Sequence, residues 1–567
     1  MSEQESAVPA LSKAVQWAAG WLFMLTSLYV LNAFVTLLGL HVFAVTLPLC
    51  VVVSLVGFYW LTKLDKRPLP KRRLVLMGVS FLSAVVVFGY IVSWIWEYSN
   101  WGRGFYTEAI VDLAGGWNPI YHDASAVSDA VMQSGKAVWY LDASIYAFLG
   151  HYEMAKSHTL LFAVPTLLLT RHVFVRLLGG HKRVATLAAL LSLANPVALS
   201  QLFSFYSDAV LAYLIQCFLL LAYLILSEGY LHADLLGVLG MLWLFMLHTP
   251  SGGLRAALVL AAAFLLIVAL LYKKQALRWL AIRAGLVVLF GFVILGFNPY
   301  IQNLVDTGSL VGNVNLASAS MPVILEGKTW FGRFLYSLTA SPDVGALNLN
   351  LLLQQFTALL HADYAQPDVA LRGFGFIGGV LIIIAVILTL FAVLMPQRSV
   401  RDSNAIYFHD EDDDETDEEP AQPEYLGRRT AFLWLLVPLL VLALFTPTLW
   451  WARTVAQLWF AIPLAVVALS TRRDDGRSKS GKLLLMVAFL NCGLVALSAL
   501  PTAKQESTAL EGYWQRMTTS TDLPSDEDAQ LHNEFVSQYP AWNSLKAHGE
   551  DEREKHALWT KIENLVR

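Results

Sequence analysis

Between Ala209 and Leu226 the chain reads AVLAYLIQCFLLLAYLIL, without one charged residue. A helix of about 20 apolar residues spans the hydrocarbon core of a bilayer. Comparable runs recur at about 15–36, 41–63, 75–95, 158–178, 184–199, 233–248, 255–272, 281–297, 374–395, 431–447, 453–470 and 482–500. In lipid each backbone polar group must be satisfied internally, so these runs are expected to be helices. Composition agrees: 56% of the 567 residues are hydrophobic and 14% charged, against about 25% charged in soluble domains. The expected fold is an all-α polytopic membrane protein with about 13 transmembrane helices, which puts the termini on opposite sides.

Basic residues orient such a chain, because Lys and Arg collect in cytoplasmic loops. Lys63, Lys66, Arg67, Lys71, Arg72 and Arg73 follow the second run, Arg176, Lys182 and Arg183 the fourth, and Lys273, Lys274, Arg278 and Arg283 the eighth. Arg398, Arg401, Arg428 and Arg429 flank the tenth and eleventh, and Arg472, Arg473, Arg477, Lys479 and Lys482 follow the twelfth. All fall on one side, whereas 96–157 holds only Arg103, Lys136 and Lys156. The N-terminus is therefore expected to be cytoplasmic and the C-terminus external, with 96–157, 298–373 and 501–567 outside.

The chain then divides into an N-terminal hairpin with its basic loop (1–74), a core (75–500) and a C-terminal tail (501–567) with helical spacing. Met1 to Lys13 lacks a basic stretch leading into a short apolar run and a cleavage site, so the first run reads as a retained anchor. Loop 396–430 contains the acidic block Asp410 to Glu419, which repels itself and reads as a solvated linker rather than an ion buffer. Cys50, Cys217 and Cys492 lie in apolar runs without disulfide or metal spacing. No phosphate-binding Gly-rich loop, nucleophile elbow or zinc-helix motif occurs. There is no basic face for nucleic acid and no pair of broken spans in matching halves.

The chemistry is expected outside. Loop 96–157 interleaves Glu97, Glu108, Asp112, Asp123, Asp129, Asp142 and Glu153 with tryptophans and tyrosines such as Trp117, a composition suited to sugars and other polyols. Ionisable groups at a membrane boundary are costly and mark function by default. Glu97, Lys156, Asp208, His248, Arg255, Tyr300, Trp451 and Arg453 all fall at the outer ends of runs. Carboxylates, a histidine and arginines at one level suit an anionic, membrane-embedded substrate. Helix capping is the plainer role for Glu97 and Asp208, snorkelling for Arg453 and an interfacial belt for the tryptophans.

Several strings resemble a family of bacterial polytopic proteins within the GT-C class of integral-membrane glycosyltransferases. They are Glu108-Ala109-Ile110 with Gly116-Trp117-Asn118-Pro119, Phe205-Tyr206-Ser207-Asp208, and Asn298-Pro299-Tyr300 with Asn303. Further along come Arg333 to Leu338, Arg372-Gly373-Phe374-Gly375 and Trp450-Trp451-Ala452-Arg453. The resemblance implies a GT-C-like core in a bacterial inner membrane, long periplasmic loops carrying short helices, and 15–63 as an addition. It implies a polyprenyl-phosphate sugar donor and a glycan or lipid acceptor, with polysaccharide-assembly proteins as partners. It offers Glu97 as catalytic base, with Asp112 second, Asp208 as the second-loop acid, and Arg453 or Arg255 on the donor phosphate. Glu108, Trp117, Lys156, His248, Tyr300 and Trp451 complete the substrate contacts. No cofactor is implied beyond a divalent cation as an alternative occupant at Asp208. The chain departs from the family at Trp101-Gly102, where an acid precedes the glycine, and at Ala137-Val138-Trp139-Tyr140, where a His-Tyr-Pro-Lys-like string stands. A non-catalytic assembly component and a flippase or transporter are the alternative functions.

The orientation is tested by single cysteines. A cysteine at Leu310 should react with a membrane-impermeant thiol reagent in intact cells, and one at Thr416 should react only after permeabilisation; the reverse pattern inverts the topology.

Overall fold

A computed structural model describes residues 11–99, 101–121, 127–227, 232–250, 252–271, 274–312, 327, 329, 331–334, 374–375, 377–394, 427–449, 451–471 and 475–519. Asp123, the acidic block 410–419, Trp450, most of 298–373 and the tail beyond Thr519 lie outside the described residues. Among the described residues there are helices and no strand.

The helices are α1 (Lys13–Leu37), α2 (Thr46–Leu64), α3 (Lys71–Val92), α4 (Thr107–Ala114), α5 (Asp129–Gln133), α6 (Ala137–Leu149) and α7 (His158–Leu177). They continue as α8 (Lys182–Leu193), α9 (Pro196–Ser200), α10 (Asp208–Ser227), α11 (Ala233–Leu247), α12 (Gly253–Leu271), α13 (Lys274–Leu289) and α14 (Gln302–Thr307). After these come α15 (Gly378–Leu394), α16 (Arg428–Leu444), α17 (Ala461–Ser470) and α18 (Asp475–Thr519).

Eight helical segments among the described residues are long and apolar enough to cross a membrane: Lys13–Leu37, Thr46–Leu64, Lys71–Val92, Tyr152–Leu177, Asp208–Ser227, Gly253–Leu271, Ala452–Ser470 and Ser478–Leu510. A ninth is counted if Leu280–Leu295 and Phe297–Thr307, bent by 77° at Gly296, form one broken span. The remaining expected spans meet shorter helices. Ala233–Leu247, Gly378–Leu394 and Arg429–Leu444 are apolar but short. The run 184–199 is cut at Asn195-Pro196 into α8 and α9, where Asn195 Oδ1 accepts the Val197 N–H at 3.1 Å. Proline at the first position of a helix gives up only an amide that would be unpaired anyway.

The axis of the bundle is α10, whose residues are all buried. It packs against α7, α11, α12 and α16. A wholly apolar helix would have no reason to keep one rotation among apolar neighbours. Gln216 supplies one: its Nε2 donates to Thr170 Oγ1 at 2.6 Å and Ser192 Oγ at 3.0 Å, joining α10 to α7 and α8. The indole of Trp434 donates to the Leu219 carbonyl at 2.9 Å and that of Trp459 to Leu191 at 2.8 Å.

The N-terminal hairpin is not a peripheral addition in packing. α1 contacts α2, α6, α7 and α11, and Asn32 on α1 donates to Ser144 Oγ on α6 at 2.9 Å. Asn118 Nδ2 donates to the Thr36 carbonyl at 2.8 Å, and Tyr140 OH to Thr36 Oγ1 at 3.0 Å. Loop 96–157 is thus built onto the end of α1. At the other extremity, α18 runs past Pro501 to Thr519 without a break, and Ser507 Oγ accepts the Trp96 N–H at 2.8 Å. The start of the tail therefore docks on the same loop.

At Gly135, between α5 and α6, a Cβ would stand 2.7 Å from the His248 carbonyl carbon, a backbone atom that cannot step aside. Gly135→Ala should lower the melting temperature in detergent by an amount equivalent to about 1–3 kcal/mol. Gly240→Ala, in α11 with nothing within 4 Å of the added carbon, should leave it level or slightly higher.

Candidate active site

The string Phe205-Tyr206-Ser207-Asp208 enters α10 and ties two buried ion groups together. In the first, Arg453 leads a 3-10 segment, Ala452–Phe460, that precedes α17. Its guanidinium carbon lies 4.1 Å from the Trp451 ring centre, 4.3 Å from Trp101 and 4.6 Å from Tyr206. Trp101 and Trp451 meet edge to face at 5.8 Å. A delocalised, weakly hydrated guanidinium is the cation best suited to such an aromatic box. Arg453 Nε lies 3.5 Å from Asp208 Oδ2, both side chains being about 1% exposed. Gln201 Nε2 donates to the same oxygen at 3.1 Å, while its Oε1 accepts the Ala209 N–H at 3.1 Å. Gln201 thus serves the start of α10, and the Asp208 carboxylate is turned to Gln201 and Arg453.

The second group centres on Glu97, just beyond α3 and fully buried. Its Oε1 accepts the Ser99 N–H at 2.9 Å and the Ser99 hydroxyl, and its Oε2 accepts the Phe205 N–H at 2.6 Å. Its own N–H donates to Glu153 Oε1 at 3.1 Å. Glu153 pairs with Lys156, whose ammonium also donates to the Ile95 carbonyl. Any Cβ on Gly102 would collide with the Glu97 carboxylate and the Ser99 hydroxyl, which explains the glycine. One residue further along the spine, the Tyr206 carbonyl lies 3.2 Å from His158 Nε2. A carbonyl only accepts, so the network assigns a proton to that nitrogen. Nδ1 of the same ring lies 2.9 Å from Asp142 Oδ1.

The two groups hold four carboxylates, Glu97, Asp142, Glu153 and Asp208, against three bases, Lys156, His158 and Arg453, all buried. Loss of water around Glu97 pushes its pKa from 4.5 up to about 7, with the Lys156 charge and the Ser99 hydrogen bonds holding it lower than burial alone would.

Other expected residues stand apart from this spine. His248 donates from Nδ1 to the Leu244 carbonyl at 2.9 Å, its ring lying 5.1 Å from Tyr29 and 5.3 Å from Tyr300. Tyr300 donates to the Leu247 carbonyl and follows the cis Asn298-Pro299 bond. Beside them Lys136, buried, donates to the Met132 and Ser134 carbonyls at 3.1 and 3.0 Å and to Asn298 Oδ1 at 2.5 Å. Trp117 lies 5.9 Å from its ammonium. Burial lowers the Lys136 pKa to about 7. Glu108 accepts from Ser128 N at 2.8 Å and Ser128 Oγ at 2.6 Å, securing the start of α5. Asp112 is half-buried on α4, and Arg255 reaches the Phe445 carbonyl at 3.4 Å.

Glu97, Lys156, Asp208, Trp451 and Arg453 thus converge, while His248, Trp117 and Tyr300 gather around Lys136. Sequence reading did not single out His158, Gln201 or Tyr206. His158 was within reach of the rule that selected Asp208, since it too opens an apolar helical run. No protein-family model, no curated protein and no solved structure matches this chain.

The Glu97 pKa has a definite sign for stability. The folded chain keeps a proton that the unfolded chain releases above about 4.5, so stability should fall as pH rises from about 4.5 to about 7 and then level off. Thermal melts of Glu97→Gln across that range should be flatter than those of the wild type; an unchanged slope would assign the pH dependence to another group.

Proposed function

We propose that this chain is a membrane glycosyltransferase that moves a sugar from a polyprenyl-phosphate donor to a glycan or lipid acceptor at the outer face of a bacterial inner membrane. The observation that carries this reading is the buried Arg453 in its aromatic box, with Asp208 at 3.5 Å. A guanidinium matches phosphate oxygens two at a time and stabilises the charge that develops on a departing phosphate. Tryptophan faces suit the apolar faces of sugar rings.

In the proposed single displacement, an acceptor hydroxyl attacks the anomeric carbon. The bond from that carbon to the phosphate oxygen breaks, the polyprenyl phosphate leaves against Arg453, and the hydroxyl proton passes to Asp208. Asp208 is preferred over Glu97 as base because both Glu97 oxygens already accept bonds from Ser99 and Phe205. Glu97 becomes a positioning residue that sets the segment carrying Asp208. Asp112 keeps a secondary place, being half-buried on α4 in the same loop.

The enclosure of Glu97 also favours a second reading, a non-catalytic component of a polysaccharide-assembly complex. Radiolabelled-sugar transfer in membranes separates the two. Under the enzyme reading, Asp208→Asn and Arg453→Lys should each lower transfer by about 100-fold or more at normal expression. Glu97→Gln should lower it less and shift its pH profile. Absence of transfer by the wild type across a panel of polyprenyl-phosphate sugars would favour the assembly component, and full activity of Asp208→Asn would remove Asp208 as base.

A further inference from the structure

We propose that Asp65, His232 and Asp234 bind a divalent transition-metal ion of the zinc or manganese class, at the end of the bundle opposite the Arg453 pocket. Asp65 follows α2, and His232 and Asp234 open α11. Each offers one ligand atom, and these atoms lie within 4.8 Å of one another. All three side chains are buried, His232 completely. Two carboxylates and an imidazole are a donor set that zinc and manganese accept, with water filling the open positions.

The carboxylate of Asp65 is held in place by the protein. Its two oxygens accept the N–H groups of Ala233 at 3.0 Å and Asp234 at 2.7 Å. Outer hydrogen bonds of this kind orient a ligand before an ion arrives.

Arg67 supplies an independent pointer to a cation. Its Nη2 is hydrogen bonded to His232 Nδ1. A guanidinium only donates, so that imidazole nitrogen presents its lone pair, the form that ligates metal. A tethered cation therefore already stands against the ring. Arg67 is half-buried. The cluster places two carboxyl groups, Asp65 and Asp234, beside one guanidinium. A divalent ion in place of the guanidinium would balance two carboxylates and the neutral imidazole. Buried carboxylates brought together are costly without a cation beside them, and a divalent ion answers that need with two charges. The ion would staple the connection between α2 and α3 to the start of α11.

Metal analysis of the full-length protein in detergent, after dialysis against zinc or manganese and removal of excess, tests this. About one ion per chain should be retained, and EDTA should lower the melting temperature of the wild type. His232→Gln should lose the ion, and Arg67→Gln should bind it more tightly. If His232→Gln does not elute as a single folded species, Asp234→Asn replaces it, and the response of the wild type to EDTA stands by itself. Two results overturn the proposal: neither ion retained by the wild type and Arg67→Gln, or equal retention by the ligand variants. In either case Arg67 is the permanent cation of this cluster.

Discussion

Burying charge in a dry interior is affordable only when partners are held in place, and the candidate site is organised around that constraint. Glu97, Asp142, Glu153, Lys156, His158, Asp208 and Arg453 are all buried. In a low-dielectric interior an unpaired ion costs several kcal/mol, while a well-placed pair repays most of that cost. The segment from Phe205 to Asp208 is the common partner. Its Phe205 N–H is held by Glu97, its Tyr206 carbonyl faces His158, its Tyr206 ring faces Arg453, and Asp208 completes the pair. A shift of this segment would strand charges on both sides at once. The segment is thus held by electrostatics and hydrogen bonds rather than by regular secondary structure.

The lipid-length helices exist to present that segment. α10 carries it into the bundle axis, and Gln216 fixes the helix against α7 and α8 by hydrogen bonds that are strong where no water competes. Fixing the rotation of α10 fixes where Asp208 points. α1 supports loop 96–157 through Asn32 and Thr36, so the ends of helices distant in sequence contribute to one end of the bundle. The opposite end of the bundle carries a different polar group, Asp65 and Arg67 against the start of α11.

Particular residues show how far one-dimensional reading reached. Asp208 and Arg453 were selected because ionisable groups at span ends are costly, and they do meet. Glu97 was selected by the same rule, and its oxygens turn out to hold backbone N–H groups. Arg255 satisfied the rule equally and lies against the Phe445 carbonyl instead. Trp101, at a position where the resemblance led to an acid being expected, forms a wall of the Arg453 box. The rule measures cost at a depth in the membrane; it carries no angle around a helix axis, and the angle decides which groups meet.

The sequence by itself determined the all-helical membrane character and the placing of ionisable residues at the ends of apolar runs. Those follow from the length of the apolar runs and from where the charged residues interrupt them, which are local properties. Tertiary structure alone decided that α1 belongs to the core, that Gln201 rather than Asp208 serves the start of α10, and that His158 joins the site. It also decided which carboxylate lies against Arg453 and which is enclosed. Those outcomes depend on how helices far apart in the chain rotate and pack, because a buried charge takes whichever partner the packing brings within reach.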